Sequence, residues 1–160
     1  MIFMKLFSLM LISILLFFGS VNASYVSTFD ADEVVVGDVI VPQEIVLTWG
    51  PIEAASVDSN IFIASDAWQI THVEVAFTVT STSGTLMLDK CTDTEAPGAG
   101  DDMLTGTISL AGTADTVTTG TLHGTVGNLQ LADGDRLATD LAGDQTGLVG
   151  GILTIHMKRI

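Results

Sequence analysis

The segment WQITHVEVAFTVT, residues 68–80, decides the fold class of this chain. Apolar side chains stand at every second position, at Val73, Val75, Phe77 and Val79, with small or polar residues between them. A period of two over this length is typical of a β-strand that buries one face. The sequence therefore predicts a half-buried strand here.

The residues that follow predict a β-hairpin with this strand. Residues 81–84 supply a turn, and the chain returns through Thr85–Cys91 with Leu86 and Leu88 on one face. Two alternating runs joined by a short turn that contains glycine are typical of hairpins.

Further short strands are predicted along the rest of the chain, with a loop at 93–102. Their ranges are 103–110, 117–126, 129–131, 136–141 and 148–157. In the last strand Leu153, Ile155 and Met157 face one way, and Thr154, His156 and Lys158 face the other. No window has the 3.6-residue period of a stable helix.

This pattern predicts an all-β protein, an antiparallel two-sheet β-sandwich of the jelly-roll type. Seven or eight short strands without a crossover helix favour that architecture. The composition agrees, since aromatic residues make up 6% and glycine occurs 16 times. We predict one sandwich domain at 59–160, preceded at 24–58 by an N-terminal arm or edge strands.

Residues 1–23 resemble a signal peptide. Lys5 precedes an apolar run at 6–18, and small residues precede a cleavage site after Ala23. The run is shorter than the roughly 20 residues of a membrane span. A retained membrane anchor and a mis-assigned start are the alternatives.

The charge of the chain argues against nucleic-acid binding. Five basic and nineteen acidic residues give a formal net charge of −14, which repels phosphate backbones. Cys91 is the single cysteine, so no intrachain disulfide can form.

The sequence predicts a protein that is not an enzyme and has no cofactor. No motif of a catalytic nucleophile occurs in the sequence. Asp101 and Asp102 are paired acids that could act as general acid and base in a cleft, but nothing in the sequence predicts such a cleft. The histidines His72, His123 and His156 fall on different predicted strands without the close spacing of metal ligands, so we expect solvated side chains.

Two ligand hypotheses are weaker than their structural alternatives. The carboxylates Asp133, Asp135, Asp140 and Asp144 are candidates for calcium, but Leu137 breaks the EF-hand spacing, and turn solvation is the simpler interpretation. Trp49 and Trp68 could stack on a sugar, although a tryptophan at a strand start more often anchors a core or an interface.

From residue 60 onward the chain resembles proteins of tailed phages and prophages that are encoded among head structural genes. The stretches that carry the resemblance are LDK at 88–90, TEAPGAG at 94–100, NLQLADGDRL at 128–137 and the terminal KRI at 158–160. The resemblance implies a capsid decoration or fibre-like subunit on the virion surface. It also implies a homotrimer that contacts the major capsid protein or another particle surface.

The signal-like segment departs from that family, because virion proteins that assemble in the cytoplasm need no secretion. The alternative is a β-sandwich module that is secreted or held at the cell surface. Such a module would bind a glycan or another surface protein.

Overall fold

The computed structural model describes residues 44–160, which consist mainly of short strands. The strands are β1 (Glu44–Ile52), β2 (Ser59–Ile63), β3 (Trp68–Ala76), β4 (Thr85–Cys91), β5 (Asp101–Asp102), β6 (Ile108–Ser109), β7 (Thr118–Thr119), β8 (Gln130–Leu131), β9 (Arg136–Ala142) and β10 (Gly151–Arg159). Within this range the helical element is a 3-10 turn, Val126–Leu129. The predicted signal segment 1–23 and the arm residues 24–43 lie outside the described range.

The strands form two antiparallel sheets. Sheet A has the order β1, β10, β3, β7, and β8 also pairs with β3. Sheet B has the order β2, β9, β4, β5, and β6 also pairs with β4. The chain passes from one sheet to the other at most connections, as in a jelly roll. The predicted all-β sandwich is therefore confirmed.

The sandwich includes a strand from the segment 24–58, for which the sequence predicts an N-terminal arm or edge strands. β1 pairs with β10 from Glu44 to Ile52, and Ile52 is completely buried. The predicted boundary at residue 59 is therefore too late, because a strand of sheet A precedes it. β1 lies at the edge of its sheet.

The predicted hairpin of β3 and β4 is wrong. β3 pairs with β10, β7 and β8 in sheet A, whereas β4 pairs with β9, β5 and β6 in sheet B. Between β3 and β4, Val79 forms an isolated β-bridge with Val149. Two residues later, the N–H of Ser81 donates to the carbonyl of Leu110. Alternation shows which face of a strand is buried, but it does not show whether the next strand lies beside it or opposite it.

The core lies between the two sheets. Val73 and Val75 of β3 and Leu153 of β10 face it from sheet A, and Leu86 and Leu88 of β4 face it from sheet B. Each of these five side chains is at most 1% exposed. Full burial of one such side chain contributes about 1.5 to 3 kcal/mol.

The predicted strands at 136–141 and 148–157 correspond to β9 and β10, whereas two other predicted strands are only partly present. The ranges 103–110 and 117–126 contain the two-residue strands β6 and β7 and an isolated bridge between Leu104 and Leu122. In the turn before β9, Gly134 has a φ of 89°, which glycine adopts without strain.

Val75→Asp is expected to lower the free energy of unfolding by several kcal/mol, because it places an unpaired carboxylate in the core. The control is Val57→Asp, the same substitution at a side chain that is 71% exposed. Urea denaturation measures both variants. A Val75→Asp protein that unfolds at the wild-type urea concentration would contradict the assignment of this face to the core.

Candidate functional site

The outer face of sheet A is the first candidate surface. Its side chains alternate with core residues along three neighbouring strands, and they lie in rows across the sheet. We call it the sheet A face and define it by Val46 and Thr48 of β1, Ile152, Thr154 and His156 of β10, and His72, Glu74 and Ala76 of β3.

Two histidines meet at the centre of the sheet A face. His156 and His72 are directly opposed residues of β10 and β3. Their rings are 5.4 Å apart between centroids and nearly perpendicular, at 83°. His72 Nε2 also lies 3.3 Å from Glu74 Oε2. The two histidines are far apart in sequence, so their contact could have been predicted only by knowing that β3 and β10 are neighbours in the sheet.

One end of the sheet A face is apolar. Ile152 and Ala76 are opposed on β10 and β3, and beyond them Val79 pairs with Val149. Val79, Val149 and Ile152 are each nearly half exposed. This end of the face therefore offers apolar side chains to solvent, whereas the centre of the face is polar.

Charge is distributed unequally between the two sheets. Glu74 is the one acidic residue among those that define the sheet A face. At the margin of this face, Glu44 of β1 lies opposite Lys158 of β10. Sheet B, the loop before β5 and the residue before β2 carry more acids than bases. The acids are Asp58, the buried Asp89, Asp93, Glu95, Asp101, Asp102 and Asp140, and the bases are Lys90 and Arg136.

Asp89 is a buried carboxylate beneath the loop 92–100. The residue is 2% exposed and lies opposite Asp102 of β5 and Ala138 of β9. Gly98 of the loop donates its N–H to Asp89 Oδ2 at 2.8 Å. Gly98 has a φ of 79°, which favours glycine. Asp89 Oδ1 is buried and has no hydrogen-bond partner among the described residues.

Burial raises the pKa of Asp89 to about 6, and the negative charges of Asp140, Asp102 and Asp58 act in the same direction. The hydrogen bond from Gly98 opposes this rise. The pKa of Asp140 is also raised, by burial first and then by Asp58 and Asp102. The loop itself is tied to β9, because Arg136 donates to the carbonyls of Asp93 and Glu95.

Asp89→Asn is expected to stabilise the protein at pH 7.5. The pKa of Asp89 is about 6 in the folded state and about 4 in the unfolded state, so the folded state binds the proton more tightly. The stability that this proton contributes is fully present below pH 4 and is lost as the pH rises through about 6. Asparagine keeps the acceptor for Gly98 and carries no charge, so we expect a gain on the order of 1 to 3 kcal/mol at pH 7.5.

Urea denaturation from pH 4 to pH 8 measures this gain, which should shrink as the pH falls toward 4. The control is Asp144→Asn, since the pKa of the exposed Asp144 is lowered by the Thr146 hydrogen bonds and this substitution should not stabilise the protein. Equal pH dependence of wild type and Asp89→Asn would show that Asp89 does not titrate in this range.

The four calcium candidates are not brought together. Asp133 is exposed in the turn before β9, where Asp135 Oδ2 accepts the N–H of Ala132. Asp140 lies five residues along the extended strand from Asp135, roughly 16 Å away. Asp144 follows the strand and accepts the N–H of Thr146. Asp140 is instead a neighbour of Asp89, which the sequence analysis did not select.

The other predicted candidates have structural partners. Asp101 and Asp102 form the exposed strand β5, and Asp101 lies 3.3 Å from Lys90 Nζ. Trp68 is buried in the core and Trp49 packs against it. The buried ring of Trp68 is therefore not available to a sugar, and Trp49 is partly buried. Cys91 is buried, and burial raises the pKa of its thiol.

A hydroxyl-rich cleft lies between the edges of the two sheets. The tripeptides Thr-Gly-Thr at 105–107 and 119–121 both line it, and Thr105 donates its N–H to the carbonyl of Thr121 at 2.9 Å. Its volume is about 230 Å³, and Ser109 and Thr118 complete its hydroxyl lining. Charged side chains are absent from the lining.

Within residues 44–160, no group of three or more histidine, cysteine or carboxylate side chains is arranged to hold a metal ion. The same range contains no helix long and apolar enough to cross a membrane. Comparisons with protein-family models, with curated proteins and with solved structures found no match for the chain.

Proposed function

We propose that the chain is a non-enzymatic structural subunit of a phage-like particle, a capsid decoration or fibre-like protein that forms a homotrimer. The observation that supports self-association is the sheet A face. Copies with a formal net charge of −14 repel each other, so close contact is favoured where charge is sparse. The sheet A face combines low charge with the exposed apolar side chain of Ile152, and the exposed Val79 and Val149 lie beyond its apolar end.

The acidic outer side of sheet B supports the proposed location of the subunit on a particle surface. If copies associate through sheet A, the surface formed by sheet B and the loop 92–100 is directed outward. A strongly acidic outer surface keeps a protein soluble at high local concentration and discourages further association. The major capsid protein or another particle surface is the proposed attachment partner, reached by parts of the subunit outside the trimer contact.

Ile152→Asp is expected to convert the trimer into a monomer, because it places a charge in the apolar part of the sheet A face. The matched control is Ile63→Asp on the edge strand β2 of sheet B, since Ile63 is also exposed. Light scattering of the expressed chain measures the mass of each variant. A wild-type monomer at tens of micromolar concentration would contradict the trimer, as would a trimer that is equally stable in both variants.

Attachment to a particle requires a second experiment. Wild-type protein is mixed with particles that lack it, and co-sedimentation is measured. Failure to sediment with any such particle, together with an intact mass that begins at Ser24, would favour export over virion assembly.

The alternative function is a secreted or cell-surface module that binds a glycan or another surface protein. The hydroxyl-rich cleft favours it, because six threonine and serine side chains offer donors and acceptors to a neutral polyol. A glycan array with wild type and with Thr119→Val measures this directly. Absence of binding by wild type would remove the support that the cleft provides.

A further inference from the structure

The geometry of His72 and His156 supports a metal site. A metal ion bound by two imidazole nitrogens lies 2.0 to 2.1 Å from each, so the centroids of two rings that share a tetrahedral ion are about 5 Å apart. The observed separation is 5.4 Å. Both rings project from the same face of adjacent strands, and the side chain of His72 is 43% exposed.

The strand geometry holds the two rings in place. The register of β3 and β10 shifts between His156 and Met157, so that Thr71 is an extra residue of β3. Thr71 donates its hydroxyl to the carbonyl of His156 at 3.2 Å. Such a bulge redirects the neighbouring side chains and fixes the strand locally.

Glu74 supplies the outer partner that metal-binding histidines usually have. A hydrogen bond from His72 Nε2 to Glu74 Oε2 fixes the tautomer in which the lone pair is on Nδ1, free to bind an ion. The other side chains that face the pair are uncharged, Val46 on β1 and Thr154 on β10, and Lys158 is opposed by Glu44. No cation therefore occupies the centre of the sheet A face among the described residues.

We propose that His72 and His156 bind a divalent transition-metal ion such as Zn²⁺, and that Glu74 is a positioning residue. Imidazole nitrogen is a preferred ligand of zinc, copper and nickel, whereas calcium and magnesium prefer oxygen. Two protein ligands leave the other coordination positions to water.

The metal proposal extends the proposed function, because a bound ion would lie within the contact between copies. Histidines of a second copy could then replace water, and the ion would strengthen association. The binding site itself does not depend on this step, since both ligands come from one chain.

The test is isothermal titration with ZnCl₂ at pH 7.5, on the chain expressed without a histidine tag. Wild type is expected to show saturable binding. His72→Ala and His156→Ala should each weaken it at least tenfold, and Glu74→Gln should weaken it about tenfold. The control is His123→Ala, because His123 accepts a hydrogen bond from the N–H of Thr125 in a separate loop, and it should bind zinc as wild type does.

Thermal melts without zinc confirm that each variant is folded before its affinity is interpreted. A folded His72→Ala or His156→Ala protein that keeps wild-type affinity would overturn the proposal. An absence of zinc binding by wild type would overturn it as well. A titration series over pH gives a second readout, since protons compete with the metal ion for imidazole nitrogen and zinc binding should weaken as the pH falls.

Light scattering with and without zinc separates this inference from the proposed function. Zinc binding by a protein that stays monomeric supports the metal site and contradicts the trimer. A trimer that binds no zinc contradicts the metal site and leaves the trimer supported.

Discussion

The packing of the two sheets against each other is the interaction on which the rest of the structure depends. Ile155 of sheet A and Leu137 of sheet B are both fully buried in the same core cluster. Each strand can bury only one set of alternating side chains, so burial of the inner set directs the other set outward. The sheet A face and the acidic outer side of sheet B are both consequences of this constraint.

Alternation along the chain therefore predicts faces well and neighbours badly. It correctly assigns Leu153, Ile155 and Met157 to the core and His156 to the opposite face. It wrongly places β3 beside β4, because two strands with apolar faces satisfy the pattern equally well when they pack across the core. The partner of each strand depends on connections that cross between the sheets. A period of two in the local sequence carries no information about those connections.

The same limitation explains why the sequence did not predict which candidate site residues lie close together. His72 and His156 are 84 positions apart in sequence, but β3 and β10 are neighbours, so the two rings are in contact. Asp140 does not form a site with Asp135 and Asp144, because each of those two carboxylates accepts a backbone hydrogen bond within its own turn. Its electrostatic neighbour Asp89 lies on the strand beside it, beneath a loop that the sequence could only describe as irregular.

Asp89 and the histidine pair show how the two outer faces differ in chemistry. On sheet B a carboxylate is buried among other carboxylates, so the ionised state opposes folding and the structure favours a proton. On sheet A the two histidine rings are in contact with each other, and His72 lies beside the carboxylate of Glu74. An acidic protein that self-associates gains most where positive charge can enter the contact. Under the proposed assembly, a divalent ion on His72 and His156 supplies that charge at the centre of the sheet A face, where no lysine or arginine of the described residues does so.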